Sequence, residues 1–376
     1  MQFEILVKDK NSKARRGELI TAHGKIETPL FMPVGTQGTV KTLSPRDLLE
    51  AGVNMLLGNT YHLYLRPGAE EIAQFGGLHR FMAWDRPILT DSGGFQIFSL
   101  SQLRKIDQEG VEFQSHLDGS YHQLTPEKAI CIQRQLGPDI MMTLDECLPY
   151  PSTREYARHS IDLTQQWAIR CLEQWLNSEP RYNYNQALFA IVQGGIFNDL
   201  REISAGNLSA LNFPGYAIGG LAVGEPAEVR NQVTSLCTDI LPELKPRYLM
   251  GVGTPADILE SINLGVDMFD CVIPTRNARN GTVFTNHGKL NIKGAAFKSD
   301  QDPIDRDCTC YTCKNFSRGY LRHLFNANEI LGLHLATLHN VSYYIQLLGQ
   351  ARDHITTGDF TQWSKGQIES WRNQHG

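Results

Sequence analysis

The feature that most limits how this chain can fold is a set of eight short apolar runs within residues 30–269, separated by longer segments with helical periodicity or turn residues. They are Leu30 to Val34, Asn54 to Gly58, Pro87 to Thr90, Asp139 to Leu144, Leu188 to Val192, Tyr216 to Gly219, Arg247 to Met250 and Val266 to Phe269. Their flat apolar composition suits strands covered on both faces, as in parallel sheets. Between them lie helix starts in which a capping or acidic residue meets a proline or an acid: Ser44-Pro45, Thr125-Pro126-Glu127, Ser152, Glu225-Pro226 and Thr254-Pro255. Strand and helix alternating eight times predicts a closed (β/α)8 barrel. An open doubly wound sheet is the rival, but the first strand-helix junction lacks the GxGxxG that nucleotide-binding sheets of that kind carry.

At 376 residues the chain is longer than most single domains, yet barrels with insertions reach this size. Hydrophobic residues at 41% and charged residues at 20% allow a large core, and no segment approaches 18 uninterrupted apolar residues, which excludes a membrane-spanning helix. The charged start MQFEILVKDKNSKARRGELI is no secretory leader, so a cytoplasmic location is expected. Cys131, Cys147, Cys171, Cys237 and Cys271, scattered singly, are then expected to be reduced. A net charge of -5 argues mildly against a polyanionic partner, so any nucleic-acid binding has to come from local charge.

In a barrel the residues just past the carboxyl ends of the strands converge on one face, where catalysis sits. Here they are Asn59-Thr60, Asp91, Asp145, Gln193, Gly219-Gly220, Gly251 and Asp270. A lone Asp after a strand is usually a cap or a turn residue; three on one rim point to chemistry. Carboxylate clusters bind metal, move protons or attack a sugar carbon. None of the 12 histidines stands in an HxH or HExxH pattern, which leaves acid-base work with nucleophilic attack, the pairing that cleaves a glycosidic bond with retention.

The stretches RRGELITAHGKIETPLFMPVGTQGTVK, LGNTYHLYLRPG, LTDSGGFQIFSL, QLGPDIMMTLDEC, ALFAIVQGG, GYAIGGLAVGE, YLMGVGTP and GVDMFDCVIPTRNARNG cover most of the chain, and together they resemble the signature blocks of bacterial tRNA-guanine transglycosylases. That resemblance implies replacement of the wobble guanine of tRNA by 7-aminomethyl-7-deazaguanine, an early tRNA step of queuosine biosynthesis, through a covalent aspartyl-ribose intermediate. It makes Asp270 the nucleophile and Asp91 the general acid/base, oriented by Asn59 and the Ser92-Gly93-Gly94 turn. Asp145, Gln193 and Gly220 would read the base edge, the Leu221 carbonyl would accept from the aminomethyl group, and Phe95 and Met250 would sandwich the ring. Some relatives carry Tyr where this chain has Phe95, which keeps the stacking and removes a hydroxyl. Plain core packing is the other reading of Phe95 and Met250. Cys147 and Val223 match the bacterial pocket floor, and both also suit an inert wall.

Cys308, Cys310 and Cys313 form C-x-C-x2-C, a spacing at which three thiolates can face one ion. By the resemblance His339 completes a Cys3His site for one structural Zn2+, with His323 and His334 as rival fourth ligands. A zinc-binding subdomain is expected over about residues 295–345, packed on a single (β/α)8 catalytic domain of residues 1–376 that also carries an N-terminal β extension. From Arg276 to Lys298 the chain holds Arg276, Arg279, Lys289, Lys293 and Lys298 and no acid. A solvated basic loop is the plain reading; its place beside Asp270 favours RNA, and the resemblance gives Arg276 and Arg279 contacts to the anticodon loop. A symmetric homodimer with the zinc segment at its interface is expected from the same likeness. The competing functions are a retaining glycoside hydrolase, which needs neither the Cys3His loop nor the basic segment, and a non-catalytic RNA-binding partner subunit, which has no need of all three aspartates.

Overall fold

The computed structural model describes residues 1–100 and 104–372. The chain opens with an antiparallel meander of β1 (Gln2–Lys8), β2 (Arg15–Thr21) and β3 (Gly24–Thr28). β4 (Leu30–Gly35), β5 (Leu56–Gly58) and β6 (Ile88–Thr90) begin a barrel. A second antiparallel meander of β7 (Arg104–Asp107), β8 (Gly110–Gln114) and β9 (Tyr121–Leu124) interrupts it. β10 (Ile140–Met142), β11 (Ala187–Val192), β12 (Gly215–Ile218), β13 (Arg247–Leu249) and β14 (Met268–Cys271) complete the ring. The eight barrel strands are parallel, and β14 closes on β4 with Asp270 opposite Met32. Each of the eight apolar runs therefore overlaps a barrel strand.

The (β/α)8 expectation is met, and the packing explains why the strands show no alternation in sequence. Met32, Val34, Met142, Phe189, Ile191 and Met268 fill the barrel interior. Their strand neighbours Phe31, Met141, Leu188, Ala190 and Phe269 pack outward under the helices. Successive side chains still alternate in direction, but both directions lead into a core. Leu19 and Ile26 of the N-terminal meander join the interior cluster and so plug the barrel floor.

Two polar clasps fasten that plug. Arg15 donates from Nε to Asp267 Oδ1 at 2.8 Å and from Nη2 to Oδ2 at 2.6 Å, and Asp267 also accepts from the Arg247 N–H at 2.7 Å. Both side chains are almost wholly buried. Removing one charge would leave the other unpaired in the core, so Asp267→Asn is expected to cost about 3–5 kcal/mol of stability, read as a fall in the midpoint of chemical unfolding. In the second clasp Asp139 bonds His23 Nδ1 at 2.9 Å and His79 Nε2 at 3.1 Å, and the two imidazoles stack with centroids 3.6 Å apart. Those are ordinary N–H···O hydrogen-bond separations, so the trio reads as a structural tie.

After the barrel come β15 (Thr282–Thr285), β16 (Gly288–Asn291) and the helices Tyr311–Asn315, Arg318–Asn326, Ile330–Thr357 and Phe360–Arg372. The helix Ile330–Thr357 runs from this segment into the barrel's outer core, where Tyr344 and Leu348 are buried and the Tyr344 hydroxyl donates to the Gly253 carbonyl at 2.5 Å. Thr153, one residue beyond the expected Ser152, caps the helix Arg154–Asn177 through its side chain. Among the described residues no helix is long and apolar enough to cross a membrane. A cleft of about 450 Å3 opens at the amino-terminal end of β11, lined by Met1, Arg134, Trp175 and Gln186 among others. Its arginine is already bonded to the carbonyls of Trp175 and Ser178, and the carboxyl ends of the strands lie at the opposite mouth.

Candidate active site

The carboxyl ends of neighbouring strands bring the expected acids to that mouth. Asp91 directly follows β6, and its buried carboxylate accepts the Thr60 N–H on Oδ1 at 2.8 Å and the Asn59 amide on Oδ2. Both donors come from the start of the helix Thr60–Leu65, immediately after β5. Burial pushes the Asp91 pKa up to about 6 and the nearby charge of Asp270 adds to the rise, while Asn59 and Thr60 oppose it. A carboxyl so tuned changes protonation near neutral pH, which suits a proton shuttle.

Asp270 stands within β14 rather than past it, a correction of one register step to the sequence expectation. It shares the inward direction of Met268 and is partly open to the mouth. Oδ1 accepts the Tyr248 hydroxyl at 2.6 Å and the Gly251 N–H at 2.8 Å. Among the described residues no donor falls on Oδ2, which keeps a lone pair available for attack. Burial raises the Asp270 pKa against those two donors. The charges of Asp270 and Asp91 both bear on Tyr248, so the two acids face one space.

Asp145, beyond β10, accepts from Ser92 Oγ on Oδ1 and from Gln193 Nε2 on Oδ2, each at 2.7 Å. Burial raises its pKa against these donors. The turn carrying Ser92 packs so tightly here that a side chain at Gly94 would put its Cβ 2.4 Å from the Asp145 carbonyl oxygen. Phe95 follows at once, 48% exposed, so it is no core residue; Met250 is half-buried against the barrel interior. Gly220, with φ of +65°, backs onto Gln193, and Leu221 is buried beside it. Cys147 lies buried in the wall, and burial pushes its thiol up to about 12, which keeps it neutral.

Two further residues of the mouth are ones whose roles the sequence patterns do not give. Tyr248 is the donor to Asp270; a Tyr in a strand buried on both faces needs a partner for its hydroxyl, and that was the available signal. Glu225, taken as part of a helix start, instead accepts the N–H of Ala222 at 2.6 Å and of Val223 at 3.0 Å, and Pro226 takes the cap position. Its carboxylate thus fixes a loop in which Ala222 has φ of +59°, an uncommon conformation for an L-residue.

Cys308, Cys310, Cys313 and His339 converge, with the sulfurs 3.6, 3.6 and 3.3 Å from His339 Nδ1. A tetrahedral zinc with ordinary Zn–S and Zn–N bonds places its ligands about 3.5 Å apart, so these residues fit that ion. His339 Nε2 lies 2.6 Å from the Phe284 carbonyl oxygen, which fixes the proton there and leaves the Nδ1 lone pair toward the sulfurs. The rival His334 is turned to the Thr42 carbonyl oxygen at 2.8 Å, and His323 is exposed. All eight cysteines are free of disulfides; Cys131 is exposed, unlike Cys171 and Cys237.

Arg276 and Arg279 lie on the helix Ile273–Arg279, which starts two residues after β14, and Lys289, Lys293 and Lys298 are exposed beyond it. Arg276 is exposed and Arg279 half-buried, with Nη1 unpartnered. The cations therefore begin at the rim beside Asp270.

The family model for queuine tRNA-ribosyltransferase matches residues 9–373. A protein of that description from Thermoanaerobacter sp. (strain X514) is 56% identical over 97% of this chain and 96% of its own length. Its counterpart from Fusobacterium nucleatum subsp. nucleatum is 55% identical over 98% of both chains. A third, from Natranaerobius thermophilus, is 52% identical over 99% of this chain and all of its own. Near-complete matches at these identities, over a barrel whose mouth gathers three carboxylates, mean that this chain belongs to the queuine tRNA-ribosyltransferase family.

Proposed function

We propose that this enzyme exchanges the wobble guanine of tRNA for 7-aminomethyl-7-deazaguanine, and the observation that carries the reading is that the carboxylates of Asp270 and Asp91 lie near enough for the charge of one to bear on the other. Asp270 Oδ2 attacks the ribose C1′, the bond from C1′ to the guanine nitrogen breaks, and an aspartyl ester holds the sugar while the base departs. Asp91 supplies the proton that the departing base takes up, then receives the proton that the incoming base loses as it attacks the ester. The RNA backbone is never cut. Ionised Asp145 accepts the ring N–H and exocyclic amine of a guanine-like edge, and Gln193 Nε2 with the Gly220 N–H donates to its carbonyl oxygen. In the free protein Asp145 and Gln193 bond each other, so their polar groups are held in place until the base displaces that bond. The Leu221 carbonyl takes the aminomethyl group, Cys147 and Val223 form the floor, and Phe95 and Met250 stack on the ring.

The test is a tRNA carrying labelled guanine at the wobble position. Mixed with protein and unlabelled 7-aminomethyl-7-deazaguanine, it is expected to release the label and remain full-length; label released only with strand scission, or no release, overturns the reading. Queuine, the base in the relatives' shared name, is the second candidate, and its bulk would have to clear Cys147, which is 6% exposed. Side-by-side incorporation of the two bases decides between them.

The Asp91 pKa near 6 sets the acid limb of the exchange. The ionised form has to take the incoming proton, so kcat/KM for the entering base should rise with pH and level off at or below about 6, because the esterified Asp270 no longer adds its charge. Asn59→Ala removes a donor that favours the carboxylate form, so its limb should move to higher pH; a limb that stays in place or moves down separates Asp91 from that proton.

The same reading makes the Cys3His ion a zinc that carries no chemistry, since four protein ligands leave no open position. The basic run from Arg276 follows the phosphates of the anticodon loop. Tyr311, Tyr320, Ile330 and Leu331 are large apolar residues exposed on the zinc-bearing segment, which supports a homodimer joined there. Residues 1–376 act as one catalytic domain with a zinc subdomain near 295–345, and the cytoplasm, where tRNA is met, is its place of work.

A further inference from the structure

Behind the base-reading groups lies a buried cation that the mechanism above does not use. Arg201, on the helix Asn198–Ala210, is fully buried. Its Nε donates to the Gly195 carbonyl oxygen at 2.8 Å and its Nη1 to that of Val192 at 2.9 Å, which pins the guanidinium against the end of β11. Its Nη2 is buried and has no partner, and the same is true of Gln193 Oε1. A Cβ on Gly220 would stand 2.3 Å from that oxygen and 3.5 Å from that nitrogen, so an unmet acceptor and an unmet donor both look onto the space above one glycine. Buried groups of this kind are rarely left unmatched unless they are used.

We propose that Arg201 is a positioning residue: once a base takes over the Asp145 carboxylate, Arg201 turns its unpartnered N–H onto Gln193 Oε1, sets which way round the Gln193 amide stands, and so makes the pocket select a base with a carbonyl rather than an amine at C6. The proposal rests on Gln193 being a base-edge donor. An amide turned over by half a rotation has nearly the same shape but opposite hydrogen-bonding character. In the free protein the Asp145 carboxylate enforces the orientation by accepting from Gln193 Nε2. Once a base occupies Asp145 that constraint weakens, and a donor on the far side of the amide is what keeps Nε2 toward the ligand. Turned over, Gln193 would offer oxygen to the base and welcome an amine. Gly220 has no side chain to separate the two groups, and the carbonyls of Val192 and Gly195 hold the guanidinium so that only Nη2 remains free to act.

The experiment is competition between radiolabelled guanine and 2,6-diaminopurine for incorporation into tRNA. The ratio of the two apparent affinities is compared between the parent and Arg201→Met, with folding followed by melting temperature. The Asp145 edge is common to both proteins and cancels in that comparison. The ratio is expected to fall tenfold or more in the variant, because a site that hydrogen-bonds a specific group rejects analogues lacking it chiefly through the fixed sense of that bond. Arg201→Lys, which keeps the buried charge, should do the same, since a single point-like ammonium does not span the separated acceptors that the planar guanidinium fork reaches from three nitrogens. A ratio unchanged in the folded variants, with both bases weakened alike, overturns the proposal and leaves Arg201 a structural tie. Gln193→Ala separates the two levels of failure: if it too leaves the ratio unchanged, the reading of Gln193 is wrong, and if it alone collapses the ratio, only the role of Arg201 is.

Discussion

Asp270→Asn is expected to abolish base exchange, by a factor of about 10^4 or more, and to abolish the denaturation-resistant RNA–protein adduct that the parent forms with tRNA. The asparagine is close in shape to the aspartate and its oxygen can still accept from Tyr248 and Gly251, so the pocket keeps its geometry while the attacking atom is lost. Stability should move the other way. Burial raises the folded-state pKa of Asp270, so the folded protein binds that proton more tightly than the unfolded chain and loses stability as pH climbs through the raised value. The neutral amide carries no such cost. At pH 7 to 8 the variant should therefore melt no lower than the parent, a dead enzyme in a sound fold. Adduct formed by the asparagine variant would remove Asp270 from the role of nucleophile; a large drop in melting temperature would mean that its charge is compensated by a partner.

That prediction depends on a register the sequence left ambiguous by one step. The apolar run ending at Phe269 suggests a strand that stops before Asp270, whereas β14 carries on to Cys271 because its pairing with β4 does. Runs buried on both faces mark where strands lie, but hydrogen bonds to a neighbour from the other end of the chain decide where each one stops. The same limit hid β7 to β9: RKID, GVEFQ and YHQL mix polar and apolar residues and pair only with one another, so nothing in them matches the flat pattern of the barrel strands. Glu225 misled for another reason. A carboxylate ahead of a proline is equally suited to a helix start and to the two loop N–H groups it in fact holds, and only the backbone path chooses. Asp91 and Asp145 were legible because each closes an apolar run, Asp91 directly after β6 and Asp145 three residues past β10, and a barrel leaves such residues nowhere to go but the mouth. Cysteine spacing announced a loop that could hold an ion, while the choice of His339 over His323 and His334 needed either a family likeness or the helices themselves, which bury His339 and leave His323 exposed.

Loss of the metal should have the largest effect on stability, and its reach can be anticipated from that helix. Structural zinc sites of this ligand type contribute on the order of 10 kcal/mol or more to the folding of the segment they close, so chelation or Cys308→Ser should open the region from β16 to Asn326 to protease. That segment has a small core of its own around Ile304, Leu321 and Leu335, in contact with the cysteines themselves. The barrel is a separate core and should persist, with Tyr344 and Leu348 still anchoring the far half of the helix Ile330–Thr357. The functional loss should then be uneven: the basic run from Arg276 to Lys298 lies between β14 and the cysteine loop, so the KM for tRNA should rise far more than that for the free base. Limited proteolysis and metal content, measured alongside the two KM values, check this together. A metal-free protein that resists protease as the parent does would show that hydrophobic packing, and not the ion, holds the segment on the barrel.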